Sequence, residues 1–186
     1  MRLKKLCALL LAVALTLGLC SCGLSKEEKY DKAVADVKIG KYDRAIEAFE
    51  SLKGYEDSEK YIMYARCLKT GDSGDYDTAI KSLTSMGDFK EAAMYIKYYT
   101  ALAYEADESY EKAAAVYDEI LLFKDVAELL NECNYQLALK TEAGGAQNAQ
   151  AAYDAFKALG AYKDSAERVA AYETKYNDAI SKEKAG

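Results

Sequence analysis

Histidine, tryptophan and proline are absent from the 186 residues. Without histidine, the Ser-His-Asp and Cys-His forms of nucleophilic catalysis are excluded, and so is the commonest metal ligand. Without proline there is no polyproline linker, and helix stops and turns fall to glycine and aspartate. No glycine-rich loop of the phosphate-cradling kind occurs. Carboxylates are abundant, but on amphipathic helices acidic residues form the solvated face. These absences point away from an enzyme, and nothing in the chain asks for a cofactor. What is present is a sequence 51% hydrophobic and 30% charged, with 17 tyrosines. That is far from the signature of disorder, and the length suits one packed domain after any targeting segment.

The first 21 residues differ from all that follow. Arg2, Lys4 and Lys5 precede an uncharged apolar run from Leu6 to Leu19, and no acidic residue occurs before Glu27. A basic start, an apolar stretch too short to span a bilayer and then small residues make a secretory signal. It ends in Leu19-Cys20-Ser21-Cys22-Gly23, which resembles the lipobox of bacterial lipoproteins. The resemblance implies cleavage before Cys22, because Ser21 is small where Leu19 is not, and diacylglyceryl attachment to the Cys22 thiol. Two acyl chains anchor stably where one is marginal. The expected organisation is a signal peptide at 1–21, a lipidated N-terminus and short tether at 22–25, a helical domain at 26–181 and a tail at 182–186. The expected location is outside the cytoplasm, held to the cell membrane; secretion without lipid is the alternative. From residue 22 onward, 22 Lys plus Arg face 31 Asp plus Glu, a formal charge of −9. That balance argues against nucleic acid as a partner and against lying flat on anionic lipid.

Self-comparison exposes a period of 34 residues: Tyr42, Tyr76, Tyr110; Ala45, Ala79, Ala113; Phe49, Leu83, Tyr117; Leu52, Met86, Ile120; Tyr55, Phe89, Phe123. A fourth unit follows at a step of 39, with Ala152, Phe156, Leu159 and Tyr162, and the five extra residues fall near Thr141 to Gln147, where Gly144-Gly145 marks a loop. Apolar residues at i, i+3, i+4 and i+7, as in Tyr30, Ala33, Val34 and Val37, predict helices. The pattern gives nine, over 26–38, 42–53, 57–70, 76–86, 90–106, 110–121, 125–141, 148–159 and 164–181. Ser25-x-x-Glu28 reads as a capping box, with Asp57-Ser58, Asp75 and Asp164-Ser165 as acceptors at later helix starts.

The period and the Gly40-x-Tyr42-x-x-Ala45-x-x-x-Phe49 core resemble the tetratricopeptide repeat. The resemblance implies an all-α fold, a right-handed α-α superhelix (a TPR-like solenoid), in which the alanine lies at the helix crossing and the aromatic fills the groove toward the next unit. It also implies protein or peptide binding on a groove lined by the first helix of each unit. Two features depart from the family: the proline closing each unit is replaced by turns such as Gly54-Tyr55-Glu56-Asp57-Ser58 and Ala161-Tyr162-Lys163-Asp164-Ser165, and the large residue expected four before the small one in the first helix is displaced by one, as in Tyr30-x-x-Ala33 and Tyr64-x-x-Cys67.

The candidate site residues follow. Tyr61 and Tyr95 form one row across successive units; Tyr30, Tyr64 and Tyr98 form a second. Aromatic rows on first helices would anchor a partner, or serve as spacers in the core, which the i, i+3, i+4 pattern also allows for the second row. Gly71-Asp72-Ser73-Gly74-Asp75 lacks the alternating oxygens of a calcium loop and reads as a turn with Asp75 as cap. Cys67 and Cys133, two repeats apart, read as small core residues and not as a disulfide. The expected partner is an envelope protein or peptide segment near the membrane, with the membrane itself engaged through the lipid on Cys22. A solute or glycan receptor and a structural part of an envelope or outer-membrane assembly are the alternatives.

Overall fold

The computed structural model describes residues 24–185, with side chains through 178. The expected signal peptide and the expected lipid site at Cys22 lie outside the described residues. Among those residues the fold is all-α, with nine α-helices, one short 3-10 turn and no strand: α1 (Lys26–Lys38), α2 (Tyr42–Ser51), α3 (Ser58–Asp72), α4 (Tyr76–Ser85), α5 (Ala92–Ala106), α6 (Tyr110–Asp118), α7 (Val126–Ala143), the 3-10 turn Ala146–Asn148, α8 (Ala149–Leu159) and α9 (Ser165–Ala185). Each stands where the apolar periodicity places it. The chief difference is α9, which continues past residue 181 through most of the expected tail.

The chain divides into two compact units, one ending at Lys69 and one beginning at Thr70. In the first, α1 starts in a complete capping box: the Ser25 hydroxyl accepts from the Glu28 amide (3.1 Å) and the Glu28 carboxylate accepts from the Ser25 amide (2.8 Å). Both otherwise orphaned amides are thereby satisfied. Asp36, buried on α1, accepts from Arg44 Nε on α2 at 2.7 Å and from Arg44 Nη2. This two-pronged pairing holds the carboxyl below its usual range and ties the two helices at their shared turn. Around Phe49 the rings of Tyr30 and Tyr61 close an aromatic core, the first edge-on at 5.6 Å and the second stacked at 4.9 Å between centroids.

In the second unit, consecutive helices pack on one another from α4 to α9. The repeat is visible in burial: Ala79, Ala113 and Ala152, each the fourth residue of its helix, are fully buried, and so are Leu83, Tyr117 and Phe156 four residues on. Ala45 and Phe49 hold the same places in the first unit. A methyl at the crossing lets backbones approach, and each large side chain buried four residues later stabilises by about 1.5–3 kcal/mol. Gly71 makes similar room on α3, since a Cβ there would lie 2.3 Å from the ring of Tyr99. The Tyr99 hydroxyl donates to Asp72 at 2.8 Å.

The turns returning the chain from the second helix of one repeat to the first of the next share one conformation. Glu56, Lys90, Lys124 and Lys163 all adopt the left-handed region, at φ between 48° and 51°. The residue two places on is fully buried in each: Ser58, Ala92, Val126 and Ser165. Asp75 caps α4 as expected, accepting from the Thr78 amide at 3.2 Å. The serines at 58 and 165 do not act as exposed caps: Ser58 Oγ donates back to the Tyr55 carbonyl, and Asp164 is taken by Tyr135 and Arg168.

Candidate functional site

The tyrosine rows exist, but they face inward. Tyr61, Tyr64 and Tyr98 are 5%, 2% and 6% exposed, so they lack the open face an anchor would present to a partner. Tyr95 is half-buried. It meets Phe123 edge-on at 4.9 Å, and burial, then the charges of Asp72 and Glu91, push its phenol up to about 12. The physical reason is that helices packed this closely leave little room for a ring on the facing side except in the core. The reading of Tyr30, Tyr64 and Tyr98 as spacers therefore extends to Tyr61.

A lysine from the neighbouring turn covers the Tyr95–Tyr98 pair. Lys124 Nζ lies 4.2 Å from the Tyr98 ring centroid and 5.4 Å from that of Tyr95, and 3.8 Å from Asp72. Asp125, the next residue, accepts from the Tyr98 hydroxyl at 3.0 Å. The arrangement recurs one repeat later with different parts. Lys163 lies 4.7 Å from the Tyr135 centroid and pairs with Glu132 at 2.5 Å, and Asp164 accepts from Tyr135 at 2.7 Å. Cations over desolvated aromatic faces contribute roughly 0.5–2 kcal/mol. These clusters weld each turn to the first helix of the repeat it closes, α5 for Lys124 and α7 for Lys163, which is a structural task.

An open cleft lies toward the C-terminal end of the second unit. A cleft of about 880 Å³ runs between the end of α7, the connection to α8, the start of α8 and the middle of α9, lined by Glu142, Ala146, Ala149, Tyr153, Tyr172 and Tyr176 among others. It exists because the period breaks here. α7 has 18 residues where α5 has 15, so three of the five extra residues lengthen the helix and two lengthen the connection. Gly145 enters the 3-10 turn at φ 88°, ψ −162°, a conformation essentially confined to glycine.

The cleft's polar groups are held in place. Glu142 accepts from Tyr172 at 3.1 Å and from Arg168. Arg168 also donates to Asp164 at 2.9 Å and lies over the Phe156 ring at 5.2 Å. On the other wall, Tyr153 donates to Glu173 at 3.0 Å and accepts from Lys157 at 3.1 Å. Hydrogen bonding to Tyr153 raises the Lys157 pKa, and burial followed by the bond to Glu142 raises that of Tyr172. Tyr176, one turn beyond Tyr172, is 68% exposed.

One buried thiol and two carboxylates are engaged within the fold. Burial, then Glu105 and Glu132, push the Cys133 thiol up to about 12, and a thiol so raised is inert at neutral pH. Asp164 is held low by Arg168 and then by Tyr135. At Glu132, desolvation is outweighed by bonds from Lys163, Gln136 and Tyr162. Such carboxylates sit far from the range that suits a general acid or base near pH 7.

Sequence reasoning found the insertion at Thr141–Gln147 but read it only as a loop. Its signal was in plain view, as the one step of 39 in a chain that otherwise steps by 34. No family model, characterised protein or solved structure matches the chain.

Proposed function

We propose that this chain is a non-catalytic, lipid-anchored lipoprotein whose tetratricopeptide-like helical repeats bind an envelope protein or a peptide segment of one. The observation that carries the binding part is the cleft of about 880 Å³ beside an aromatic ring left 68% exposed. An exposed tyrosine in a partly apolar groove is the type of anchor that dominates protein interfaces. The anchoring part rests on the apolar run and on Leu19-Cys20-Ser21-Cys22-Gly23. The absence of histidine and the use of the carboxylates as structural acceptors support a role without catalysis.

A solute or glycan receptor is the second reading. It is favoured by the cleft's volume, which lies within the roughly 300–1,000 Å³ of small-ligand sites, and by a lining that combines tyrosines with Gln150 and two carboxylates. The openness of the groove favours a peptide over an engulfed small molecule.

Two measurements test the proposal. Intact mass and detergent partitioning compare wild type with Cys22→Ser in a bacterial host; lipid mass and detergent partitioning in wild type alone are expected, and two aqueous proteins overturn the anchoring. A photo-crosslinker at Gln150, which is exposed on the cleft wall, is expected to capture a discrete envelope protein in cells. Capture of nothing beyond background overturns the binding reading.

A further inference from the structure

Resting on the lipid anchor at Cys22 proposed above, we infer that α1 is a membrane-docking surface: the turn Lys38-Ile39-Gly40-Lys41 lies on an anionic bilayer, with Ile39 entering the interface and the two lysines meeting lipid phosphates. The anchor by itself brings only the start of α1 to the membrane. Gly23, Leu24 and Ser25 separate Cys22 from Lys26, a reach of at most about 14 Å when extended. Ile39 caps the other end of α1, about 20 Å further on at the rise of a helix. A bilayer contact at Ile39 therefore requires the helix to lie along the surface, which tethering alone does not.

Three observations select the bilayer as the occupant. Ile39 is 62% exposed, although the same place carries Ser73 after α3 and Asp107 after α5, so the repeat fold does not call for an apolar residue there. Lys32, Ala35 and Ile39 follow one another at i, i+3 and i+7 on the exposed side of α1, opposite the buried Ala33 and Val37. Secondly, Ile39 stands between two exposed lysines, neither of which forms an ion pair among the described residues. An apolar side chain flanked by cations suits the boundary between acyl chains and phosphates. It suits an apolar protein surface poorly, because both ammonium groups would lose water without gaining a partner. Thirdly, the acid surplus that argues against the whole chain lying on anionic lipid is not shared by α1. Residues 24–41 hold five lysines, all exposed, against four carboxylates, one of which, Asp36, is buried and taken by Arg44. From residue 42 onward, 17 cations face 27 carboxylates. An anionic surface thus attracts α1 and repels the remainder, and that asymmetry orients the chain.

The test uses the full lipid-anchored chain in vesicles of a neutral phospholipid, with and without an anionic phospholipid. The chain has no tryptophan, so Ile39→Trp supplies a single emitter. On anionic vesicles its emission is expected to shift to the blue, to be quenched by bromine on the acyl chains and to return toward the water-exposed value in salt. Adding Lys38→Gln or Lys41→Gln should lower the ratio of docked to undocked protein roughly fivefold. Leu122→Trp, at a wholly exposed residue elsewhere, should keep a water-exposed emission. An equal shift at Leu122→Trp, an equal shift on purely neutral vesicles, or no effect of the lysine substitutions would each overturn the inference. A shift that appears in detergent without vesicles and grows with protein concentration would assign the surface to a second copy of the chain instead. The two failures are separable, because lipid mass is measured on the same variant. A lipidated Ile39→Trp with water-like emission overturns the docking and leaves the anchor standing; a variant that gains no lipid overturns the anchor and the docking with it.

Discussion

The α5–α6 and α7–α8 repeats of the second unit share one core and differ at one end. Ala113 with Tyr117 and Ala152 with Phe156 occupy the same helix positions and are equally buried. Yet a three-residue connection at 107–109 joins the first pair, whereas the second uses five residues containing a 3-10 turn. The difference teaches where a repeat can absorb change. Extra residues placed at the far end of the hairpin leave the crossing untouched and open a cleft; the same five residues near Ala152 would have broken the register of the whole helix. The repeat's tolerance and the candidate site are thus one fact seen from two sides.

The largest test of that shared core is truncation of its large residue. Tyr117→Ala and Phe156→Ala should each cost about 3–5 kcal/mol in urea unfolding, a large part of the stability of a domain this size. A cost below about 1 kcal/mol at Phe156 alone would break the comparison, showing that the cleft-bearing repeat is loosely packed. Next comes the difference between the connections. Gly145→Ala should cost about 1–3 kcal/mol, because the backbone there excludes an L side chain, and should weaken binding at the cleft. Glu108, in the α5–α6 connection, already sits at φ 54° as an L-residue, so Glu108→Gly should change stability by no more than about 0.5 kcal/mol. If both substitutions proved silent, Gly145 would not be what shapes the cleft.

A smaller effect separates the two core aromatics by pH. The Tyr117 hydroxyl donates to Glu105 at 2.9 Å, and burial, then that carboxylate, raise its pKa in the folded chain. A raised phenol favours folding while protonated, so its contribution is complete below the ordinary tyrosine value of about 10 and is lost as pH climbs above it. Tyr117→Phe should cost about 1 kcal/mol at neutral pH and flatten the alkaline decline. An unchanged alkaline profile in Tyr117→Phe would assign that decline to other tyrosines.

Much of this was legible before any coordinates. The step of 34 placed Ala45, Phe49 and their equivalents in the core, because helical burial and sequence period are the same quantity. The insertion was legible too. The direction of the tyrosines was not: Tyr61 and Tyr95 fall outside the simplest i, i+3, i+4 stripe, and only the neighbouring ring of Phe49 or Phe123 shows that the core extends that far. Nor could spacing reveal Lys124 and Lys163 lying over rings on the first helix of the repeat each closes, because that reach depends on a left-handed residue in the turn. Tyr176 escaped because α9 has no later repeat to align it with.

The smallest expected effect tests the turns themselves. Ser58 and Ser165 hold equivalent, fully buried places that Ala92 and Val126 fill with apolar side chains. Ser58 Oγ donates to the Tyr55 carbonyl, while Ser165 Oγ has no partner among the described residues. A bonded buried hydroxyl contributes roughly 1 kcal/mol, and one without a partner carries its desolvation cost uncompensated. Ser58→Ala should therefore lower the melting temperature by a few degrees or less, and Ser165→Ala should leave it unchanged or raise it slightly. The sign carries the test. If Ser165→Ala destabilises as Ser58→Ala does, the Ser165 hydroxyl has rotated onto the Tyr162 carbonyl in solution, and the turn beside the cleft is built like the one in the first unit.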